Sequence, residues 1–194
     1  MNLRQSLKAA LLTVVLTPTL APAANFSYSH IGLGASHASI DGMPALLGAD
    51  VFSRHRLTNN VFLEGGFSRL DGGDWTLDVE HKRYQAALGY ATPVLSHADL
   101  VFTAGIDYQS FTLCRAPGCS KSSDNGALGS IGVRSWVSDS MELSASVEHV
   151  TTGDAMTSLS LEAVGWFDFT SSLFMALDWS SDQRYLSTGY RYTF

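Results

Sequence analysis

The sequence predicts an all-β protein, an antiparallel up-and-down transmembrane β-barrel of ten strands, with eight strands as the alternative. Three observations carry this. Beyond the first two dozen residues no helical period runs for a useful length, whereas apolar–polar alternation recurs throughout. Gly, Asp, Asn, Ser and Pro interrupt that alternation at short intervals, the pattern of many strands joined by turns. The chain then closes on YLSTGYRYTF, residues 185–194, which places Leu186, Thr188, Tyr190, Tyr192 and Phe194 on one face of an extended strand and Arg191 on the other.

The breakers fall into two alternating classes. One comprises LTNN (57–60), TPVLSHAD (92–99), VSDSM (137–141) and DFTSS (168–172); the other comprises DGMP (41–44), DGGD (71–74), CRAPGCSKSSDNG (114–126), TTGDA (151–155) and SSDQ (180–183). Between them lie the candidate strands: roughly 26–39, 46–57, 61–70, 75–91, 99–113, 126–137, 142–151, 157–167, 173–180 and 184–194. An even number brings both ends of the chain to the same end of the barrel. Gly-rich 26–39 and the short 173–180 are the weakest strands, which keeps the eight-stranded alternative open. Spanning strands need ~9–11 residues, and the fourth and fifth stretches exceed that.

Each strand separates into two faces. One is apolar: Leu47, Ala49 and Val51; Leu63 and Phe67; Tyr84, Leu88 and Tyr90; Phe102 and Ile106; Ile131 and Val133; Leu143 and Val147; Leu159 and Leu161; Met175, Leu177 and Trp179. The other mixes Gly and Ser with Asp50, Arg54, Arg56, Glu64, Arg83, Asp107, Arg134, Glu148, Glu162, Asp178 and Arg191. A soluble secreted ligand-binding barrel would bury the apolar face, whereas a membrane barrel shows it to lipid. Lysine usage favours lipid. Lys8, Lys82 and Lys121 are the only lysines, too few for a soluble surface of ordinary composition. With the charged face inward, five arginines oppose six acids in a narrow bore. Such charges must pair, since leaving them dry and alone costs several kcal/mol each, about the scale of whole-domain stability.

The first residues read as an export signal. Arg4 and Lys8 precede a short apolar run, Ala9–Leu16, and Ala21-Pro22-Ala23 supplies the small residues of a cleavage site. Residues 1–23 are therefore expected to be a cleaved signal peptide and residues 24–194 the barrel domain. The net charge of −6 would fall to about −8 with the loss of Arg4 and Lys8. An acidic chain of this kind gives no reason to expect nucleic-acid binding.

Together, the signal segment, alternating strands, tight turns and final Y-R-Y-T-F (190–194) resemble small Gram-negative outer-membrane β-barrels of the porin-like type. So does GSIGVRSWVSDSMELSASVEHV (129–150), with its glycine–x–arginine, turn and acid pattern. The resemblance implies a cell outer-membrane location and contact with outer-membrane lipids and lipopolysaccharide. It also implies a closing aromatic strand (Tyr190, Tyr192, Phe194) recognised by the barrel-assembly machinery, and a structural or small-solute role. A monomer is expected, with no cofactor and no metal.

Two constellations bear on chemistry. Cys114 and Cys119 are the only cysteines and, after export, are expected to form a disulfide within an outer loop. The histidines (30, 37, 55, 81, 97 and 149) form no compact ligand set. His149 and Thr151, with Glu162 on the next strand, resemble in outline the histidine–hydroxyl pair of outer-membrane lipid A deacylases. Threonine stands for serine, the flanking residues differ, and Glu162 has the opposite parity. The sequence therefore favours a non-enzyme, with a lipid-modifying hydrolase as the alternative.

The closing strand yields a direct expectation. Phe194→Asp breaks the aromatic stripe and should lower outer-membrane levels in quantitative membrane fractionation; levels equal to the parent would remove the assembly role of this residue.

Overall fold

A computed structural model describes residues 26–153 and 155–194; the expected signal peptide lies outside these residues. The described chain is a closed antiparallel barrel of ten strands. They are β1 (His30–Ile40), β2 (Leu46–Arg56), β3 (Val61–Gly73), β4 (Asp78–Leu95), β5 (Ala98–Arg115), β6 (Gly118–Ser138), β7 (Met141–Val150), β8 (Met156–Trp166), β9 (Ser171–Trp179) and β10 (Gln183–Thr193). Each strand pairs with its sequence neighbours, and β1 closes on β10 from His30↔Thr193 to Ile40↔Gln183. The eight-stranded alternative is thereby excluded.

The apolar face is outside. Leu33 is 60% exposed and Ile106 68%, whereas Phe62, of the opposite parity, is 1% exposed. This arrangement suits a surrounding of acyl chains and contradicts a soluble barrel filled by those residues. Aromatic side chains collect at both ends of the exterior band. Tyr90, Phe102, Tyr190, Tyr192 and Phe194 sit toward the end holding both termini, and Phe67, Tyr84 and Tyr108 form a row toward the far end. Beyond that row the exterior becomes ionic, with Arg69 bonded to Asp71 and Glu80, and Lys82 to Glu80. Such an order, apolar then aromatic then charged, follows the polarity profile of a bilayer.

Two sequence expectations change. CRAPGCSKSSDNG is not a long loop: β5 runs to Arg115, β6 starts at Gly118, and Cys114 lies directly opposite Cys119, disulfide-bonded across the hairpin. Serines and Asp124 made the segment read as a loop, yet its strand form comes from pairing to β5 rather than from burial. Residues 118–126 therefore project beyond β7, whose pairing begins at Leu128↔Val150. The polar side chains of Ser120, Lys121, Ser122 and Ser123 suit a strand edge that must not aggregate.

The other change concerns the expected first strand, 26–39. Ser29 still pairs with the wall through the Phe194 N–H, and the strand proper starts at His30; Phe26–Tyr28 turn into the bore, with Phe26 and Tyr28 buried there. Room for the rings inside comes from glycine. A Cβ on Gly32 would lie 2.2 Å from the Phe52 ring, and one on Gly89 would lie 2.0 Å from the Phe62 ring.

Pro93 stands near the end of β4 without disrupting it. The N–H of Ala91 reaches Asn60 of the β2–β3 turn, and two residues on β3 has already ended, so no ladder bond is lost at the proline.

Two turns share one device. Asp74 accepts hydrogen bonds from the Thr76 and Leu77 N–H groups and the Thr76 hydroxyl. Asp168 does the same with Thr170 and Ser171. In the second turn the Thr170 N–H, foremost, holds the Asp168 carboxyl below its usual range; in the first, the Thr76 hydroxyl does so for Asp74. A lowered folded-state value means that the turn gains support above the ordinary aspartate range and loses it as the pH falls through the depressed value. Amide-exchange protection of Thr170 and Ser171 should thus fall away below about pH 3.9. Asp168→Asn should remove that pH dependence, and an unchanged acid profile in the variant would contradict the assignment.

Candidate functional site

The bore of the barrel gathers the charged residues, because the parity that sends apolar side chains outward sends these inward. The bore is layered in three levels, two of them charged. At the terminal end, Phe26, Tyr28, Phe62 and Ala91 form a buried cluster, with Val101 and Trp136 packed against it. Phe26 stacks on Trp136 at 5.7 Å between ring centroids and Tyr28 on Phe62 at 5.0 Å. Arg134 lies over both Phe26 and Tyr28, and Arg54 over Phe62. These guanidiniums use their faces for rings and their edges for acids, a combination lysine cannot reproduce.

The ion pairs at this level are tight. Arg134 bridges to Glu142 at 2.6 Å, and the Trp166 indole N–H donates to the same carboxylate at 2.7 Å. Arg134 also donates to the Ser27 carbonyl at 3.0 Å, Arg56 donates to the Phe26 carbonyl, and the Tyr28 hydroxyl donates to Asp99 at 2.8 Å. Arg54 bridges to Glu64 at 2.6 Å. The chain entering the bore is thus held by backbone carbonyls as well as by rings.

At mid-height Phe52 meets Phe174 edge-on at 5.1 Å, and Arg191 lies over both rings while bridging to Glu162 at 2.7 Å. Arg83 holds two acids, Asp107 at 2.6 Å and Glu148 at 3.0 Å. Asp50 accepts from the hydroxyls of Ser36, Ser187 and Tyr185. Toward the far end, Ala38, Leu46, Leu70 and Val79 form a second buried apolar cluster beneath Ile40, Met43, Leu77, Leu113 and Tyr185.

The sequence list and the bore differ in particulars. Arg54, Glu64, Arg83, Asp107, Glu148, Glu162 and Arg191 stand in ion pairs with one another. Arg56 is exposed and bonds a carbonyl, not an acid. The partner of Arg134 is Glu142, which the sequence reading omitted along with Asp99; both stand at the edges of breaker segments, where parity was not followed. Phe52, Phe62 and Phe174 share the charged parity and could have been found by that signal.

His149, Thr151 and Glu162 are not brought together. His149 Nδ1 pairs with the Thr157 hydroxyl at 2.9 Å on the outer wall, and the Thr151 hydroxyl engages the backbone of Ala127. Glu162 faces the bore, bound to Arg191.

The chain matches the outer-membrane protein β-barrel domain family over residues 8–172. It belongs to that family. An outer-membrane location follows for this barrel. Solved structures agree on the fold. The translocator domain of the autotransporter NalP from Neisseria meningitidis is 13% identical, with 98% of this chain and 94% of that one covered and a TM-score of 0.53. The NanC porin is 8% identical, with 84% and 100% covered and a TM-score of 0.52. Ail, the attachment invasion locus protein of Yersinia pestis, is 16% identical, with 84% and 95% covered and a TM-score of 0.47. At such identities the NalP translocator domain and NanC share architecture with this chain and nothing finer. No curated protein sequence matches it.

The Arg134–Glu142 pair gives this outer-membrane barrel a measurable dependence. Arg134 is 4% exposed and Glu142 1%, so Glu142→Ala strands a buried guanidinium and should destabilise by ~3–5 kcal/mol in urea unfolding from lipid vesicles. The double variant Arg134→Met with Glu142→Leu should recover most of the loss. A Glu142→Ala barrel as stable as the parent would show that the pair is solvated.

Proposed function

We propose that this barrel is a closed structural element of the outer membrane, with at most slow passage of small polar solutes. The carrying observation is Phe26–Tyr28, lodged inside the terminal mouth. Stacked rings and arginine contacts hold it across the bore where an open porin would keep water. The end holding both termini faces the periplasm and the projecting β5–β6 hairpin faces outward. The porin name borne by NanC is compatible with a transport role but supplies no solute for this chain.

Outer-membrane lipids and lipopolysaccharide surround the apolar band between its aromatic rows. Tyr190, Tyr192 and Phe194, exposed on the outside of β10, form the stripe that the assembly machinery reads. A closed wall has no free edge within the membrane, which favours a monomer.

Planar-bilayer recording tests this directly. The parent should show no stable large openings, and Phe26→Ala with Tyr28→Ala should raise conductance while the fold is retained. Large steady openings in the parent would overturn the closed-barrel reading.

A further inference from the structure

On the tall side of the barrel the exterior cations nearest the membrane, Arg69 and Lys82, are taken by Asp71 and Glu80. On the short side, where β9, β10 and β1 meet, the exterior cation is Arg184. Among the described residues no carboxylate bridges to it. Arg184 is exposed beside the outward β9–β10 turn and stands directly opposite Trp179 on one flank and Ser39 on the other. Side chains paired in this way share a face and lie within reach of one another. The Arg184 guanidinium sits over the Trp179 ring, 5.8 Å from its centroid. A stack of this kind uses the flat face and leaves the N–H fork free.

A second observation concerns what lies next to this row. One step toward the membrane centre, Leu177, Leu186, His37 and Leu47 form the following row across β9, β10, β1 and β2, all exposed on the outer wall. A free guanidinium fork, an exposed serine hydroxyl and an aliphatic wall therefore adjoin at the outer edge of the apolar band, with Trp179 marking the interface.

The chemistry of this corner selects its occupant. Arginine offers donors only and matches phosphate with two parallel hydrogen bonds. A phosphate monoester has a third oxygen free to accept from Ser39. A zwitterionic headgroup would bring an ammonium beside Arg184, where no described carboxylate receives it. Free phosphate would leave the leucine row unused. We infer that the outer rim at β9, β10 and β1 is a binding site for a lipid with a phosphate monoester headgroup. Arg184 and Ser39 hold the phosphate, and the acyl chains lie along Leu177, Leu186 and Leu47. This site rests on the lipid surround proposed above and not on the state of the bore, so it and the closed-barrel reading fail separately.

Nuclear magnetic resonance titration of the refolded, isotope-labelled barrel in phosphocholine micelles tests it. Dihexanoyl phosphatidic acid should shift the Ser39 and Arg184 amides saturably. Dihexanoyl phosphatidylcholine and inorganic phosphate should each act at least about tenfold more weakly. Arg184→Gln should weaken the phosphatidic acid by about tenfold or more, the effect of losing a charge-assisted hydrogen-bonded pair. Lys121→Gln, which removes an exposed charge from the β5–β6 hairpin, should leave it unchanged. No saturable shift in the folded parent, equal response to the phosphatidylcholine, or equal affinity for inorganic phosphate would each overturn the lipid site. So would an Arg184→Gln barrel that binds like the parent, or equal weakening by both substitutions, which would mark a general effect of charge. Should a variant not fold, the three titrants on the parent decide alone.

Discussion

The structure depends on the β1–β10 closure. In hydrocarbon an unpaired backbone N–H or C=O has no water to turn to, and each costs several kcal/mol. A sheet of ten strands is tolerable there only if its first and last members meet, and the register from His30↔Thr193 to Ile40↔Gln183 achieves this. Once the wall is closed, every side chain must point either to lipid or into a narrow bore. The alternation of the sequence, the Gly and Ser on the inner face and the aromatic rows outside all answer that division.

Confinement then dictates the chemistry inside. A bore this narrow cannot hydrate its charges freely, so each long ionic side chain needs a partner within reach. Arginine is used for this at Arg54, Arg83, Arg134 and Arg191, three of which also cover aromatic rings. Fork geometry for acids and a flat face for rings let one residue join the polar and apolar parts of the same level. Phe52 and Phe62 fit because Gly32 and Gly89 leave space opposite them. Where ion pairing stops, at Asp50 and Asp178, the bore keeps a cavity.

Above the membrane the constraint is lifted, and the structure changes character. Water can satisfy the free edge of β6, so a polar strand persists there on pairing from one side, tied at its tip by Cys114–Cys119. The short Asp-x-Thr turns at both ends of the barrel use a carboxylate to satisfy local N–H groups, and leave Trp75 and Phe169 almost wholly exposed.

The sequence by itself determined the all-β class and the outward apolar face, and favoured ten strands over eight, because side-chain alternation has a period fixed by backbone geometry. It named Arg134 and Glu162 as inward, since parity is a one-dimensional property. Parity carries no height and no partner, and so the pairing of Arg134 with Glu142 across the β6–β7 turn required the fold. Nor could it show Phe26–Tyr28 leaving the wall: these residues alternate like strand, and only the space inside a closed bore turns them inward. The cavity, too, was decided by tertiary structure alone, because which inner residues share a level depends on the stagger of the strands around the barrel.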